Sequence, residues 1–157
     1  MFFWGGEKMI QNKKTKKYQL NLSMSALIDQ EKYEKWLKNK ARTHLKRDKK
    51  RGNISSTYES YRVAIHEAVI NSNGKDAYTG ENLDWSLINE YNNKDSKKYG
   101  RDYKKRFALL PTIDHVGDGK GKANFKICSW RTNDAKNDLS YEIFLELCNK
   151  IVNYSKN

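Results

Sequence analysis

Apolar residues recur at a helical spacing in two segments of the first half of the chain. In residues 25–51 an apolar side chain returns every three or four positions, and Gly52 follows as a stop signal. Residues 56–71 carry a second stripe of the same period. Both patterns predict amphipathic helices with one face turned inward. The residues expected on the inward faces are Leu27, Ile28, Tyr33, Trp36, Leu37, Ala41 and Leu45 in the first helix, and Tyr58, Tyr61, Ile65, Ala68 and Val69 in the second.

The segments that follow lack this period. Residues 71–85 are dense in Asn, Gly and Asp, and they therefore predict turns and loops. Residues 89–106 are polar with interleaved tyrosines. We interpret that segment as a long connection, whose exposed basic and aromatic side chains are suited to lie along a nucleic-acid backbone.

Two short apolar segments then flank a glycine-rich turn. The first, residues 107–116, contains Pro111, which indicates an edge strand or a bulge. The second, residues 125–130, alternates between two faces as a strand does. Together the two segments predict a β-hairpin.

Two helices are expected after the hairpin. A short one begins near Arg131, and a longer one has Ser140 as its N-cap. The buried side of the longer helix is predicted to hold Phe144, Leu147, Cys148, Ile151 and Val152. The whole pattern therefore predicts an α+β fold, mostly helical, in which helices precede and follow a hairpin with its short helix.

The composition limits the classes of function. A chain of 157 residues with 37% hydrophobic residues suits one compact folded domain. Its formal net charge of +12 and pI near 9.6 indicate a polyanionic partner, because clustered Lys and Arg side chains release counterions when they neutralise phosphates. Nucleic acid is the first partner class to consider, and an anionic membrane surface is the second.

Basic side chains concentrate on the polar face and at the C-terminal end of the first predicted helix. Such a run is either a solvated face with cations near the negative end of the helix dipole or a surface that contacts phosphates. Few acidic residues are interspersed, which favours phosphate contact. The residues assigned to nucleic-acid contact are Lys46, Arg47, Lys49, Lys50 and, after the hairpin, Arg131.

Three further features of the sequence concern the location of the protein in the cell, the N-terminal residues and the cysteines. No apolar run approaches the roughly 20 residues that span a bilayer, so we expect a cytoplasmic protein without a membrane partner. Residues 1–21, with an aromatic group at their start (Phe2, Phe3 and Trp4), are expected to form a flexible basic arm. Cys128 and Cys148 are too few for a disulfide framework, and we interpret them as reduced thiols packed in the core.

The adjacent residues Asp114 and His115, on the first predicted strand, point to hydrolytic chemistry. A single divalent metal and one general base can together hydrolyse a phosphodiester. Asp is a hard oxygen ligand for Mg²⁺ or Mn²⁺, an Asn carbonyl oxygen is similar, and His titrates closest to working pH. Neighbouring strand residues point to opposite faces, so one side chain could bind metal while the other reaches the water. The short helix would bring Asn133 back over the strand end, and Asn137 one turn later on the same face.

This constellation resembles the HNH endonucleases. Their ββα-metal motif has an Asp-His pair on its first strand, an Asn in its loop, and a final His or Asn on its helix. The corresponding residues in this sequence are the pair in "IDHV" (Asp114 and His115), Asn124, and Asn133 with Lys136 after it. The segment "DAYTGENL" at residues 76–83 is likewise similar to the family's upstream "CxYCGxxL" element with its cysteines replaced, and Thr132 stands where a zinc-ribbon cysteine often stands. The resemblance covers residues 75–147.

The resemblance implies a role for each matching residue. His115 would be the general base, Asp114 and Asn133 would hold one divalent cation, and Asn124 would orient the His115 ring through a backbone contact. Lys136 would lie near the scissile phosphate. The cation expected is Mg²⁺, with Mn²⁺ as an alternative, and no structural zinc is expected. The chain would then comprise the arm, a basic helical region at residues 22–74 and an HNH-like nuclease region at residues 75–157, in one compact domain.

Two functions from different classes follow from these observations. The first is an HNH-type endonuclease that hydrolyses phosphodiester bonds of double-stranded DNA. The second is a non-catalytic nucleic-acid-binding protein that uses the basic helix and retains the hairpin as scaffold. Within the first hypothesis, Asn137 is an alternative to Asn133 as the second metal ligand. The two functions differ in their response to chelation, because only the enzyme depends on a metal.

Overall fold

The computed structural model describes residues 16–157, which form an α+β fold, as the pattern of the sequence predicts. The described residues contain a two-stranded antiparallel sheet and six α-helices. Among these helices, none is both long enough and apolar enough to cross a membrane. In chain order the elements are α1 (Leu22–Ser25), α2 (Gln30–Lys50), α3 (Tyr58–Ser72), α4 (Asn93–Arg106), β1 (Pro111–His115), β2 (Phe125–Ser129), α5 (Trp130–Lys136) and α6 (Tyr141–Ser155).

The two amphipathic helices of the first half are confirmed as α2 and α3, but α2 begins at Gln30, and Leu27, expected on its inward face, precedes it and is 48% exposed. The Asp29 side chain caps α2 by accepting hydrogen bonds from the backbone N–H groups of the first turn. Thr57 begins α3 in a reciprocal capping box with Ser60. The two helices pack against each other, and the apolar stripes supply most of the core, including Tyr33, Trp36, Leu37, Tyr61 and Ile65.

The predicted loop between α3 and α4 is held to this core by Trp85. Its ring meets the Trp36 ring edge-on with centroids 6.0 Å apart, and its Nε1 donates to the Gly74 carbonyl at 3.3 Å. Gly74 has a φ of +81°, and a Cβ there would lie 2.6 Å from Leu27 Cδ1. The turn therefore requires glycine both for its backbone conformation and for the close approach of Leu27.

The interpretation of residues 89–106 as a connection is wrong, because residues 93–106 form α4. Asn92 caps this helix with its side chain, and Gly100 interrupts it with φ 59° and ψ −130°. Of the residues on α4, Ser96 alone is buried, so the helix lacks the apolar stripe on which the sequence pattern depends. Its last turn is instead anchored by aromatic rings: the Tyr103 and Phe107 centroids are 4.8 Å apart.

The predicted hairpin and its short helix are present. β1 pairs with β2 from Pro111 opposite Ser129 to His115 opposite Phe125, so the proline opens its strand, where its lack of an N–H is tolerated. One face of the hairpin, with Phe125, belongs to the core under α2 and α3. The other face is covered by α5. Because neighbouring strand residues point to opposite faces, Asp114 and His115 lie on different sides of the hairpin.

Helix α6 begins at the predicted cap but does not bury the predicted residues. The Ser140 side chain accepts from the Ile143 N–H, as an N-cap does. None of the α6 residues is buried; Ile151 is 60% exposed, and Phe144 is half-buried. The expectation of a buried side is therefore wrong for Phe144, Leu147, Cys148, Ile151 and Val152. Periodicity identifies an apolar face, but it does not say what covers that face.

The two cysteines and the expected N-terminal arm also differ in part from their predictions. Cys128 is buried as expected, whereas Cys148 on α6 is half-buried. Of the arm, residues 1–15, with the aromatic group at 2–4, lie outside the described residues. In residues 16–21, Tyr18 and Leu20 are buried in the core, and the Arg62 guanidinium lies 4.2 Å from the centre of the Tyr18 ring. Apolar burial and this cation–π contact tie the end of the arm to the body.

Candidate active site

A groove with a volume of about 830 Å³ lies where the end of α2, the hairpin, α5 and the start of α6 meet. Four of the residues singled out for the motif line this groove, namely Asp114, His115, Asn133 and Lys136. Arg47 also lines the groove, whereas the other four residues assigned to nucleic-acid contact do not. The fold therefore brings the central residues of the candidate motif to one concave surface.

On one side of the hairpin, Asp114 is held by a cation and a hydroxyl group. The Lys136 Nζ lies 3.1 Å from its Oδ2, and the Tyr78 hydroxyl donates to the same oxygen at 2.5 Å. Both charged groups are nearly buried: the Asp114 side chain is 8% exposed and the Lys136 side chain is 7% exposed. Burial and the bond to Asp114 raise the pKa of Tyr78, so its hydroxyl remains a donor.

Asn133, on α5, binds the first strand through its amide nitrogen. Its Nδ2 donates to Thr112 Oγ1 at 3.2 Å and to the Ile113 carbonyl at 3.4 Å. Because the nitrogen is turned toward the strand, the amide oxygen is the atom that remains for another ligand. Asn137 lies one turn later, where its N–H donates to the Asn133 carbonyl at 2.9 Å, but it is the C-cap of α5 with a φ of 51° and not a residue within the helix, as predicted. Asn137 still lines the groove.

On the other side of the hairpin, the His115 ring is held by α2. Its Nε2 lies 2.5 Å from Asp48 Oδ2, and an Arg47 guanidinium nitrogen lies 3.3 Å from its Nδ1. Asp48 is only 2% exposed and also accepts a hydrogen bond from the Tyr61 hydroxyl at 2.7 Å. Burial alone would raise the pKa of Asp48, but the hydrogen bonds from Tyr61 and His115 hold that pKa below its usual value. Asp48 is therefore an ionised carboxylate at neutral pH.

A neutral histidine and a glycine complete the surroundings of His115. Burial and the nearby Arg47 lower the pKa of His44 to about 3, so its ring carries no charge at neutral pH. Gly119, with a φ of +73°, lies so close that a Cβ would be 3.1 Å from His115 Cδ2. The Asn53 side chain holds this turn by donating to the Gly119 carbonyl at 2.8 Å. The turn thus packs over one edge of the His115 ring, and any larger residue at Gly119 would press on that ring.

The remaining predicted residues lie outside the groove. Asn124 is exposed, and its carbonyl accepts from the Val116 N–H at 3.0 Å, whereas the ring of His115 has Asp48 and Arg47 as partners. Arg131 forms two hydrogen bonds to Glu81, at 2.6 and 2.7 Å. Lys46, Lys49 and Lys50 are exposed at the end of α2. The roles expected for these five residues stay predictions.

The segment similar to the upstream family element is anchored by a buried carboxylate. Asp76 accepts hydrogen bonds from the backbone N–H groups of Tyr78 and Ser129, each at 2.8 Å. Burial would raise the pKa of Asp76, but these bonds, with a contribution from the Thr132 hydroxyl, lower it. Asp76 thereby fixes the loop that carries Tyr78 to the junction of β2 and α5.

Asp48 and Tyr78 are the site residues that the sequence analysis missed. Asp48 is separated from His115 by 67 positions, so no local pattern connects the two. One signal was present: Asp48 is an acid in the strongly basic last turns of α2, near the negative end of the helix dipole. An acid is unfavourable there unless it has a specific partner.

The groove contains donor atoms that suit a hard divalent cation. Asp114 and Asn133 could supply a carboxylate and an amide oxygen, which are ligands for Mg²⁺ or Mn²⁺. Lys136 already neutralises Asp114, so an ion bound there would share the carboxylate with an ammonium group. Within residues 16–157, no three His, Cys, Asp or Glu side chains are grouped in a way that could hold an ion.

Comparisons of the chain with protein-family models, with curated proteins and with solved structures find no match.

Proposed function

We propose that the chain is a metal-dependent endonuclease of the HNH type that hydrolyses phosphodiester bonds of DNA. The observation that carries the proposal is the groove itself, in which Asp114, His115, Asn133 and Lys136 come together although the hairpin places the first two on opposite faces. The net charge of +12 suits a polyanionic substrate. The resemblance of the motif to the HNH endonucleases supports the same reaction class.

Each residue of the groove has a distinct task in this proposal. His115 accepts the proton of the attacking water as general base. Lys136 and Arg47 bring positive charge to the phosphate, where negative charge develops in the transition state. A divalent cation held by Asp114 and Asn133 would stabilise charge on the phosphate and on the leaving 3′ oxygen.

Cleavage of supercoiled plasmid DNA tests the proposal directly. We expect the purified protein to convert the plasmid to nicked or linear forms with Mg²⁺, and to lose this activity when a chelator is in excess, because Asp114 and Asn133 then have no cation to hold. Gel electrophoresis measures the conversion. The His115→Ala variant, purified in parallel, controls for a contaminating nuclease.

The other outcomes of this experiment are informative. Cleavage that persists in the chelator contradicts the metal dependence. Binding without cleavage, insensitive to chelation but falling steeply with salt, would favour the non-catalytic nucleic-acid-binding protein. That alternative draws on the exposed lysines of α2 and on the basic side chains of α4, which has three basic residues, Lys104, Lys105 and Arg106, in its last turn.

The exposed lysines at the end of α2 should contribute to affinity without contributing to sequence preference. Replacing Lys46 and Lys50 by Glu is expected to weaken binding to all DNA sequences, because contacts to phosphates carry no base information. The slope of log affinity against log salt should become shallower by up to about 2, since each phosphate contact contributes roughly 0.9. Fluorescence anisotropy over a salt series measures both effects.

A matched variant separates local contacts from the general field of the protein. Replacing Lys150 and Lys156 on and after α6 by Glu changes the net charge by the same amount. This variant should retain a salt slope close to that of the wild type. Equal slopes for the two variants would mean that the end of α2 is only a solvated basic face.

A further inference from the structure

We infer that Asp48 is the positioning residue for His115, and that it fixes the ring in the tautomer whose Nδ1 is free to accept a proton. The inference rests on the proposed function for its catalytic part. It concerns a residue of α2 that lies outside the hairpin-helix motif, and the contact that carries it joins residues 67 positions apart.

The hydrogen bonds of Asp48 decide which ring nitrogen carries the proton. An ionised carboxylate can only accept, so the contact between Asp48 Oδ2 and His115 Nε2 at 2.5 Å requires a proton on Nε2. The Arg47 guanidinium can only donate, and its nitrogen lies 3.3 Å from Nδ1. In a neutral ring, both contacts are satisfied by a single tautomer, with Nε2 as donor and Nδ1 as acceptor.

The orientation of the ring is fixed by the same contacts. Asp48 is itself held by the Tyr61 hydroxyl at 2.7 Å and is 2% exposed, so it cannot swing away into solvent. The turn at Gly119 lies on another side of the His115 ring, so close that an added Cβ would be 3.1 Å from Cδ2. A base held in this way loses little freedom when it meets the water that it activates.

Arg47 donates a hydrogen bond to His115 Nδ1, and a bound substrate can compete for that donor. Its guanidinium also lies 3.1 Å from His44 Nδ1, and the side chain lines the groove. A phosphate in the groove offers Arg47 a stronger, charge-assisted partner than an imidazole nitrogen. When Arg47 turns to the phosphate, Nδ1 becomes available to water, so substrate binding and exposure of the base are coupled.

The decisive variant is Asp48→Asn, which keeps the shape of the side chain and removes its charge. An amide at this position cannot accept from both Tyr61 and His115 without placing its NH₂ group toward Arg47, which is also a donor. Both tautomers of His115 should then be populated. We expect the single-turnover cleavage rate at saturating DNA and Mg²⁺ to fall about 10- to 100-fold, as for other residues that orient a reactive group. DNA affinity should change by less than about twofold, because Asp48 is only 2% exposed and its carboxylate is occupied by Tyr61 and His115.

A matched control removes an acid from the same groove without touching His115. Asp118 is exposed, lines the groove, and makes its hydrogen bond to the Lys120 N–H. Asp118→Asn should leave the single-turnover rate within about twofold of the wild type. A fall equal to that of Asp48→Asn would show that the groove responds to charge alone, and would overturn the inference.

Nitrogen-15 NMR of the histidine rings supplies a readout that does not depend on cleavage. Two-bond ¹H–¹⁵N spectra at alkaline pH distinguish the two neutral tautomers, and a His115→Gln variant assigns the signals. We expect the wild type to show the Nε2–H tautomer at His115 and Asp48→Asn to show a mixture. An Nδ1–H tautomer in the wild type, or an unchanged tautomer together with an unchanged rate in Asp48→Asn, would overturn the inference. A wild type that shows the expected tautomer but never cleaves DNA would overturn the proposed function and leave the role of Asp48 in fixing the ring supported.

Discussion

Replacing His115 by Ala is expected to lower the rate of DNA cleavage by about 10²- to 10⁴-fold, which is the usual contribution of a general base. DNA affinity should remain nearly unchanged, because the base acts on water and the phosphate is held by other side chains. Single-turnover cleavage gives the rate, and fluorescence anisotropy gives the affinity. The loss should appear in the rate alone.

The interpretation of this variant depends on the fold of the groove staying intact. His115→Ala leaves Asp48 with Tyr61 and Arg47 as partners, so the buried carboxylate does not become unpaired. Thermal unfolding of the variant checks this expectation. His66→Gln is a suitable control, since His66 bonds to the Tyr33 hydroxyl and does not line the groove. A parallel loss of affinity and rate in His115→Ala would mean that His115 is a structural residue.

Local periodicity predicted the elements whose apolar faces are covered by the core. The stripes of α2 and α3 and the alternation of β2 are predictable because each element turns one face to the same core. The start of α2 was not predictable from the stripe, because Asp29 caps the helix at Gln30, later than the expected start at residue 25. Helix α4 was missed because its stability comes from the Asn92 cap and from aromatic contacts at its end. Helix α6 begins at the predicted cap, but its predicted burial was wrong, because its apolar face remains exposed in the described residues.

The candidate site was predictable only where its residues are neighbours in sequence. Asp114 and His115 are adjacent, and Asn133 and Lys136 follow from one short helix after the hairpin. The partners that hold these side chains come from elsewhere: Asp48 from α2 and Tyr78 from the loop after α3. Such contacts depend on how the elements pack, which no spacing within a motif encodes. The sign of these contacts in the sequence was Asp48, an acid among the basic residues at the end of α2.

The buried pair of Lys136 and Asp114 leads to the largest expected change in stability. Replacing Lys136 by Met should lower the free energy of unfolding by about 3–5 kcal/mol, because it leaves the Asp114 carboxylate buried without its cation. Tyr78 remains as a hydrogen-bond donor, but a neutral hydroxyl does not replace an ammonium group. Urea unfolding at neutral pH, followed by circular dichroism, measures the loss.

A double-mutant cycle shows whether the pair itself is responsible. Asp114→Asn combined with Lys136→Met removes both charges, so the double variant should be more stable than Lys136→Met alone. Lys150→Met, which breaks the exposed pair with Glu146 on α6, should cost no more than about 1 kcal/mol. If Lys136→Met is as mild as Lys150→Met, the Asp114 carboxylate is open to water and the closed packing of α5 on the hairpin is wrong. Since Asp114 is also the proposed metal ligand and Lys136 is proposed to bring positive charge to the phosphate, the double variant should fold but fail to cleave DNA. A folded, inactive double variant would separate the stability of the pair from its use in catalysis.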